Sequence, residues 1–290
     1  MTEKNKRITP YQILCIVLLV ALAIFFLFPL YWIVTGSVKE KSDIIIKAGE
    51  SVKWIPTSIS WDNYARLFKS QTEMFGLKFP LALRWLFNSV FISVVAMLLT
   101  CITASLAGYV LAKKRFWGRG IIFSLFVCAM ALPKQVILIP LLKEMSGLRL
   151  YGSLWAVIFP TVGWPFGVFL MKQFSEGIPG EILEAARIDG SSEWNTFSTV
   201  VIPMIKPGIG ALAIFTFINC WNDYFMQLVM LDKNNVFTIS MGIATLQAET
   251  STDIGLLMAG AAMASVPIIT VFLIFQKYFT QGIAMGAVKG

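Results

Sequence analysis

The sequence contains no histidine, and charged residues make up only 14% of its 290 residues. Soluble domains carry about 25% charged residues, so this scarcity indicates a protein that crosses a membrane several times. Without histidine, the chain cannot form a Ser-His-Asp triad. Its four cysteines stand singly in apolar runs without a C-x-x-C pair, which is typical of small core residues. We therefore expect neither a catalytic group nor a metal site.

A nucleotide-binding loop of the form G-x-x-x-x-G-K-[ST] is also missing. A chain without a nucleotide site cannot drive a pump with ATP by itself. The formal net charge is +8, but no basic stripe interleaves with aromatic residues on a polar surface, so nucleic-acid binding is not expected. Basic loop residues on the cytoplasmic side of a membrane explain the excess more simply.

Long apolar runs make up much of the sequence. A helix that crosses a bilayer needs about 20 mostly apolar residues, and six runs are long enough. They cover residues of about 12–36, 86–111, 119–141, 153–174, 207–231 and 255–276. Prolines inside several runs predict kinked helices. We therefore predict an all-α polytopic membrane protein, a single transmembrane domain with six transmembrane helices.

Lysine and arginine give the predicted orientation of the runs. With both termini in the cytoplasm, the basic loop "KKRFWGR" (113–119) lies inside the cell, and the two short outer loops hold few basic residues. The segment of about 37–85 is then outside, although it is basic, because long translocated segments weigh little in this rule. The charged segment of about 176–206, between the fourth and fifth runs, is placed in the cytoplasm.

Two short helices are predicted in this charged segment. "IPGEILEAARI" begins a helix after Pro179, and Gly190 ends it, because glycine adopts a left-handed C-cap at little cost. A second helix is predicted from the Ser191–Ser192 pair, either of which can serve as N-cap, to Pro203. On these residues alone, a docking element and an amphipathic linker on the lipid headgroups are equally compatible with the pattern.

The spacing within the segment resembles a known motif. Glu184-Ala185-Ala186, three residues, Gly190, nine residues and then V-x-I-P resembles the EAA motif, E-A-A-x3-G-x9-I-x-L-P, of permease subunits of bacterial ABC importers. Four further stretches resemble the carbohydrate-uptake branch, and more narrowly the smaller six-span permease of the maltose type. They are "WIPTSISWDNYARLF" (54–68), "WNDYFMQLVML" (221–231), "GLLMAGAAMASVPIITVFLIFQKYF" (255–279) and "GIAMGAVKG" (282–290).

The resemblance implies the type I ABC importer permease fold in the bacterial inner membrane, and the import of sugars or oligosaccharides. It implies a second homologous permease, an ATPase dimer that carries ATP and Mg, an extracellular solute-binding protein and a carbohydrate substrate as partners, with no cofactor in this chain. The charged segment would then be the helix that docks on the ATPase. The residues implied in this coupling are Glu184, Ala185, Ala186, Asp189, Gly190 and Pro203.

Other functions remain as alternatives. The first is an ABC importer permease for another small polar solute such as a polyamine. A membrane-embedded enzyme is disfavoured because Asp223 has no plausible catalytic partner in the sequence. A self-sufficient secondary transporter is disfavoured because no internal inverted repeat is detectable.

Polar residues in the fifth run suggest where a solute passes. Thr216, Asn219, Asp223 and Gln227 recur at spacings of three and four, which predicts one shared helical face. An aspartate inside a span costs about 2.5–3.5 kcal/mol, so it should face a cavity or a polar partner. Amides and carboxylates bind sugar hydroxyls, and aromatic rings stack on sugar faces. The candidate pathway residues are Asn219, Trp221, Asn222, Asp223, Tyr224 and Gln227. Bonding between helices stays open as the alternative.

Two features remain ambiguous in the sequence. Lys134 follows Pro133 in the third run and indicates either a break near the pathway or, as the preferred interpretation, a shorter span whose lysine extends to the membrane surface. The last outer loop, about 232–254, is a plain surface loop by its residues, whereas the resemblance implies that it reaches the solute-binding protein. The glycine-containing tail after Lys277 is predicted to be a flexible extension.

Overall fold

The structure, a computed structural model, describes residues 9–44, 51–74, 76–249 and 253–287, with side chains described as far as residue 277. The described chain is mostly helical. Its longer helices are α1 Pro10–Ser37, α4 Leu81–Lys113, α5 Arg119–Met130, α6 Lys134–Gly147, α7 Trp155–Val162, α8 Pro165–Glu176, α9 Gly180–Ile188, α12 Lys206–Trp221, α14 Ile239–Glu249 and α15 Ile254–Ala287. Its shorter helices are α2 Lys41–Ile44, α3 Asp62–Leu67, α10 Glu193–Asn195, α11 Ile202–Met204 and α13 Tyr224–Met230.

The described residues form two compact units. The first draws on residues 1–70 and 245–263, and the second on residues 71–244 and 264–290. The second unit contains a two-stranded antiparallel sheet, β1 Gln71–Met74 and β2 Leu77–Pro80. The prediction of an all-α chain is therefore wrong in this detail, because strands of four residues outside the apolar runs are too short to leave a periodic signal.

Four helical stretches in the described chain are long and apolar enough to cross a membrane: Pro10–Ser37, Leu81–Lys113, Trp155–Glu176 and Ile254–Lys277. Two bent pairs raise the number to six if each pair is counted as one span. They are Arg119–Met130 with Lys134–Gly147, bent by 108°, and Glu193–Met204 with Lys206–Trp221, bent by 77°. The described chain thus has four to six candidate spans, and six is the upper value.

The third predicted run is broken in the middle. Helix α5 ends at Met130 and α6 begins at Lys134, with Pro133 in an extended conformation as the N-cap. A proline has no backbone N–H and disfavours helix at the residue before it, so the chain turns here. Helix α6 then continues to Gly147, beyond the predicted end of the run. The structure thus shows the break that was one of the two interpretations of this run, and where Lys134 lies relative to the membrane surface stays a prediction.

The core of the second unit depends on a close approach of α4 and α8. A Cβ atom at Gly108 of α4 would lie 2.6 Å from the backbone nitrogen of Lys172 and 2.7 Å from the Cβ of Met171, both in α8. Only glycine permits this separation. A similar contact occurs where Gly208 of α12 meets the ring of Phe174. Small residues at such contacts let membrane helices pack by van der Waals contact of their backbones.

The first turns of α4 bind the chain segment 234–239. The Trp85 indole donates to the carbonyl oxygen of Asn234 at 2.8 Å, and the Asn88 amide donates to that of Phe237 at 2.9 Å. The Ser89 hydroxyl accepts from the backbone N–H of Ile239 at 2.8 Å, where α14 begins. This part of the predicted outer loop is therefore held against α4 rather than lying free on the surface.

In the first unit, the buried carboxylate of Asp43 binds residues of the chain that follows α1. Asp43 accepts from the Lys53 ammonium at 2.6 Å and from the hydroxyl and backbone N–H of Thr57 at 2.5 and 3.0 Å. These groups, the Lys53 ammonium first, hold the pKa of Asp43 below its usual range. Nearby, the Lys39 ammonium donates to the carbonyl oxygen of Lys53 at 2.5 Å and lies 4.1 Å from the Trp32 ring centre.

We expect Asp43→Asn to lower the thermal stability of the purified protein at neutral pH. A depressed pKa means that the folded state favours the ionised carboxyl, so its stabilisation is present above the ordinary pKa of 3.8 and is lost as the pH falls through and below that value. The difference in Tm between variant and wild type should therefore shrink in acid. The exposed Asp62 supplies the control, since Asp62→Asn should change Tm little at either pH. A difference that stays constant from pH 7 to pH 3 would contradict this assignment.

Candidate functional site

Helix α9 presents most of its surface to solvent. It begins at Gly180 after Pro179, as predicted, and Leu183 is its one buried residue. Glu184 and Ala185 are exposed and Ala186 is half-buried. The helix thus packs on the rest of the second unit mainly through Leu183, with Ala186 partly covered. Two of the three residues that resemble the start of the EAA motif, Glu184 and Ala185, are left accessible to solvent.

The end of α9 is fixed by a glycine cap. Gly190 has φ of +73°, in the left-handed region, as predicted. The N–H of Ser191 donates to the carbonyl oxygen of Ala186 and that of Gly190 to Arg187, both at 3.0 Å. These two bonds form a Schellman motif, which satisfies the last carbonyl groups of the helix. The cap therefore determines where α9 stops and leaves the adjacent Asp189 exposed.

The second helix begins as predicted and ends at Met204, one residue beyond the predicted end at Pro203. The Ser192 hydroxyl accepts from the N–H of Asn195 at 3.2 Å and caps α10. A π-helical stretch, Thr196–Val201, follows and leads into α11. Pro203 lies in the first turn of α11, where its missing N–H is not required, so the helix passes through it. The chain instead bends after Met204, before α12 begins.

Lysines at the end of α4 hold the coupling segment, defined here as residues 176–206. The Lys113 ammonium donates to the carbonyl oxygens of Ile178 and Glu176, at 2.6 and 3.1 Å. The Lys114 ammonium pairs with the Glu193 carboxylate, which also lies 3.7 Å from the Arg187 guanidinium. Cations near a helix C-terminus satisfy its free carbonyls and its dipole. The "KKRFWGR" loop and the coupling segment therefore lie at the same end of the second unit.

Of the four large apolar side chains exposed on the coupling segment, Ile188 and Trp194 are the most exposed. Ile188 is 86% exposed and Trp194 is 67% exposed. Neither was among the residues predicted to act in coupling. The helical period contains the signal for Ile188, because it is five residues from the buried Leu183 and therefore points away from it. Contiguous exposed apolar surface marks where another protein or a membrane binds, so these two side chains are candidates for a docking surface.

The four polar residues predicted to share one helical face, Thr216, Asn219, Asp223 and Gln227, do not lie on one helix, because the fifth run is also broken. Helix α12 ends at Trp221 and α13 begins at Tyr224, with Asp223 between them. Asp223 is therefore not inside a helix. One of its oxygens accepts from the N–H of Met226 at 3.2 Å and caps α13. Short polar side chains favour such caps because they satisfy the free N–H groups of the first turn.

Two of the predicted residues point into the protein. Gln227 is buried, donates to the carbonyl oxygen of Cys220 at 2.9 Å and accepts from the Thr238 hydroxyl at 2.5 Å. Trp221 is buried and stacks on Phe217 with ring centres 5.5 Å apart. Both act as packing within the second unit, so the prediction of a polar face that includes Gln227 is wrong. Asn222 is exposed and Tyr224 is half-buried.

The remaining two candidate pathway residues, Asn219 and Asp223, both contact Lys134. The Lys134 ammonium lies 2.5 Å from the Asn219 side-chain oxygen and 3.2 Å from an Asp223 oxygen. The cluster of Lys134, Asn219 and Asp223 thus joins the break between α5 and α6 to the break between α12 and α13. Sequence reasoning missed the pairing. Within the described ranges, no group of three or more His, Cys, Asp or Glu residues could hold a metal ion.

Comparisons with known proteins agree with this architecture. The chain is 33% identical over 290 residues to the arabinooligosaccharides transport system permease protein AraQ of Bacillus subtilis, with 100% of both chains covered. It is 32% identical over 266 residues to the melibiose/raffinose/stachyose import permease protein MelC of Bacillus subtilis, covering 90% of this chain and 91% of that protein.

Solved structures give the same result for the fold. A crystal structure of a bacterial ABC transporter involved in the import of the acidic polysaccharide alginate matches with a TM-score of 0.78 at 21% identity, covering 96% of this chain and 100% of that one. The resemblance inferred from the EAA motif is confirmed, because residues 104–285 match a family of membrane transport components. The chain is a member of the binding-protein-dependent transport system inner membrane component family.

Proposed function

We propose that the chain is the permease subunit of an ATP-driven importer, and that it conducts sugars or oligosaccharides delivered by a solute-binding protein. Relatives named for arabinooligosaccharides and for melibiose, raffinose and stachyose support the carbohydrate class. The observation that carries the proposal is α9, an exposed helix with a fixed glycine cap at the position of the EAA motif. Such a helix is suited to receive force from another subunit.

The proposed partners follow from the architecture of such importers. ATP and Mg would bind to a separate ATPase dimer, and a second homologous permease would complete the pathway. A solved bacterial alginate ABC transporter in complex with a pentasaccharide-bound periplasmic protein has a TM-score of 0.63 to this chain at 15% identity. That complex supports a solute-binding protein as a further partner.

The proposed docking surface combines charged, small and apolar groups. Glu184, Ala185 and Asp189 are exposed, and Ala186 lets a partner approach the backbone closely. Ile188 and Trp194 would fill apolar pockets on the ATPase, because buried apolar side chains provide most of the free energy of protein association. Glu193 is already engaged by Lys114, so we assign it to the internal structure of the coupling segment rather than to the ATPase contact.

Six membrane crossings with both termini in the cytoplasm complete the proposal. Each bent pair then counts as one crossing. On a background without the native cysteines, Trp117→Cys places a thiol at a position that is 94% exposed in the "KKRFWGR" loop. We expect an impermeant thiol reagent to label it only after the cells are permeabilised, while Lys233→Cys is labelled in intact cells. Labelling of Trp117→Cys in intact cells would reverse the orientation.

Reconstitution tests the function directly. The complete transporter in proteoliposomes should take up neutral oligosaccharides such as arabinotriose or raffinose, with the binding protein on one side and ATP with Mg²⁺ on the other. Omission of the ATPase, ATP or the binding protein should each abolish uptake. ATP-independent accumulation, or no uptake of any oligosaccharide tested, would contradict the proposal.

A further inference from the structure

Two opposite charges stand alone in two apolar segments. Lys134 is the one charged residue in the sequence between Arg119 and Lys143, and Asp223 is the one between Lys206 and Asp232. Charged side chains within membrane segments are expensive and tend to pair or to line aqueous paths. The structure brings these two together across 89 residues of sequence.

The geometry gives a site with matched charge. The Lys134 ammonium contacts the Asn219 oxygen at 2.5 Å and an Asp223 oxygen at 3.2 Å. The second Asp223 oxygen is occupied by the N–H of Met226. The Lys134 side chain remains 47% exposed, whereas that of Asp223 is 17% exposed. The pair is therefore open on the lysine side and supported by the protein on the aspartate side.

Hydrogen-bonding capacity remains after the charges are matched. An ammonium has three donors, and two of them are used by the described partners. The Asn219 amide nitrogen and the lone pairs of the Asp223 carboxylate add a donor and acceptors. A sugar hydroxyl both donates and accepts, so it fits this mixture. A uronate carboxylate only accepts and would meet the Asp223 charge beside the lysine.

We propose that Lys134, Asn219 and Asp223 form a net-neutral contact site for oligosaccharides in the translocation pathway. In this site Asp223 neutralises Lys134 and so excludes sugars that carry carboxylates. The inference rests on the proposed function and narrows its substrate class to uncharged oligosaccharides. Asp223 and Lys134 thereby become the residues that determine the charge preference of the pathway.

Removing the negative charge and removing the positive charge of the pair should change the preference for sugar charge in opposite directions. Asp223→Asn leaves the lysine charge unmatched, so an acidic sugar should bind better. Lys134→Gln leaves the aspartate unmatched, so a cationic amino sugar should bind better. Hydrogen bonds to charged groups are stronger than those between neutral groups, and we expect preferences to change by about tenfold. A purely structural ion pair would lose stability in both variants without changing the preference of either.

Protection from thiol labelling measures binding in the complete transporter without its binding protein. Asn222→Cys, next to Asp223 and exposed, carries the label on a background free of native cysteines. The probes are arabinotriose, trigalacturonate and the glucosamine trimer, each at millimolar concentration. Arabinotriose should protect the parent protein best, trigalacturonate should protect the Asp223→Asn variant best, and the glucosamine trimer should protect the Lys134→Gln variant best.

Charge-independent results would overturn the inference. The same order of protection in all three proteins refutes it, as does no protection by any trimer in the parent protein. If Asp223→Asn does not assemble, Lys134→Gln and the reversed pair Lys134→Asp with Asp223→Lys still test it, because the reversed pair should keep the neutral preference. ATP-driven uptake by the wild-type transporter is measured separately. Normal uptake with an unchanged preference therefore rejects the neutral site and leaves the proposed function in place.

Discussion

Gly108→Val is expected to lower the Tm of the purified transporter by more than about 5 °C. A Cβ atom at this position would lie 2.6 Å from the backbone of α8, at Lys172 and Met171, and backbone cannot move aside as a side chain can. Overpacking of a core costs about 1–3 kcal/mol and more where the neighbour is rigid. Helices α4 and α8 must therefore separate, and the yield of assembled transporter should fall with Tm.

Gly120→Val provides the matched control. Gly120 lies in α5, and a Cβ atom there would meet no described atom within 4 Å. Valine is a better helix former than glycine, so Tm should stay the same or rise slightly. Equal losses in both variants would mean that glycine is needed at Gly108 for a reason other than the contact of α4 with α8.

The largest functional loss is expected from Gly190→Pro. Proline requires φ near −65°, whereas Gly190 has φ of +73°, and the substitution also removes the N–H that bonds to Arg187. The Schellman cap should be lost, and the end of α9 should no longer present Asp189 in its present place. We expect co-purification of the ATPase to fall at least about tenfold, on the order of one hot-spot contact. The protein should remain in the membrane.

Gly118→Pro separates this effect from general backbone strain. Gly118 has φ of +81° and open space around its Cα, as Gly190 does, but it lies in the "KKRFWGR" loop. It should retain the ATPase. Ile188→Asp and Trp117→Asp form a second pair, since both replace exposed apolar side chains and only the first lies on the coupling segment. Normal ATPase binding by both Gly190→Pro and Ile188→Asp would place the docking surface elsewhere.

Local chemistry made the coupling segment predictable. Pro179 before α9, the glycine cap at Gly190 and the serine cap at Ser192 act within a few residues, so the sequence is enough to place them. The helix ends at Met204, one residue beyond the predicted Pro203, because a proline in the first turn of a helix does not stop it.

Local reasoning could not decide between a break and a shorter span in the third run, and it did not predict the break in the fifth run. Apolar composition places a segment in the membrane but does not determine whether a proline kinks the helix or ends it. The pairing of Lys134 with Asp223 joins residues that are far apart in sequence, and no spacing rule connects them. For the same reason the burial of Trp221 against Phe217 could not be inferred from a run in which nearly every residue is apolar.

Helix α4 is held at both ends. Its 33 residues span about 50 Å, and its first turns bind the segment 234–239. At the other end, its last residue, Lys113, and its C-cap, Lys114, bind the coupling segment. Because α4 is bound at both ends, a binding event at one end can change the binding affinity at the other, and this coupling is reciprocal. If a ligand of the 234–239 segment shifts α4 and thereby strengthens ATPase docking, then ATPase docking must strengthen the binding of that ligand by the same factor.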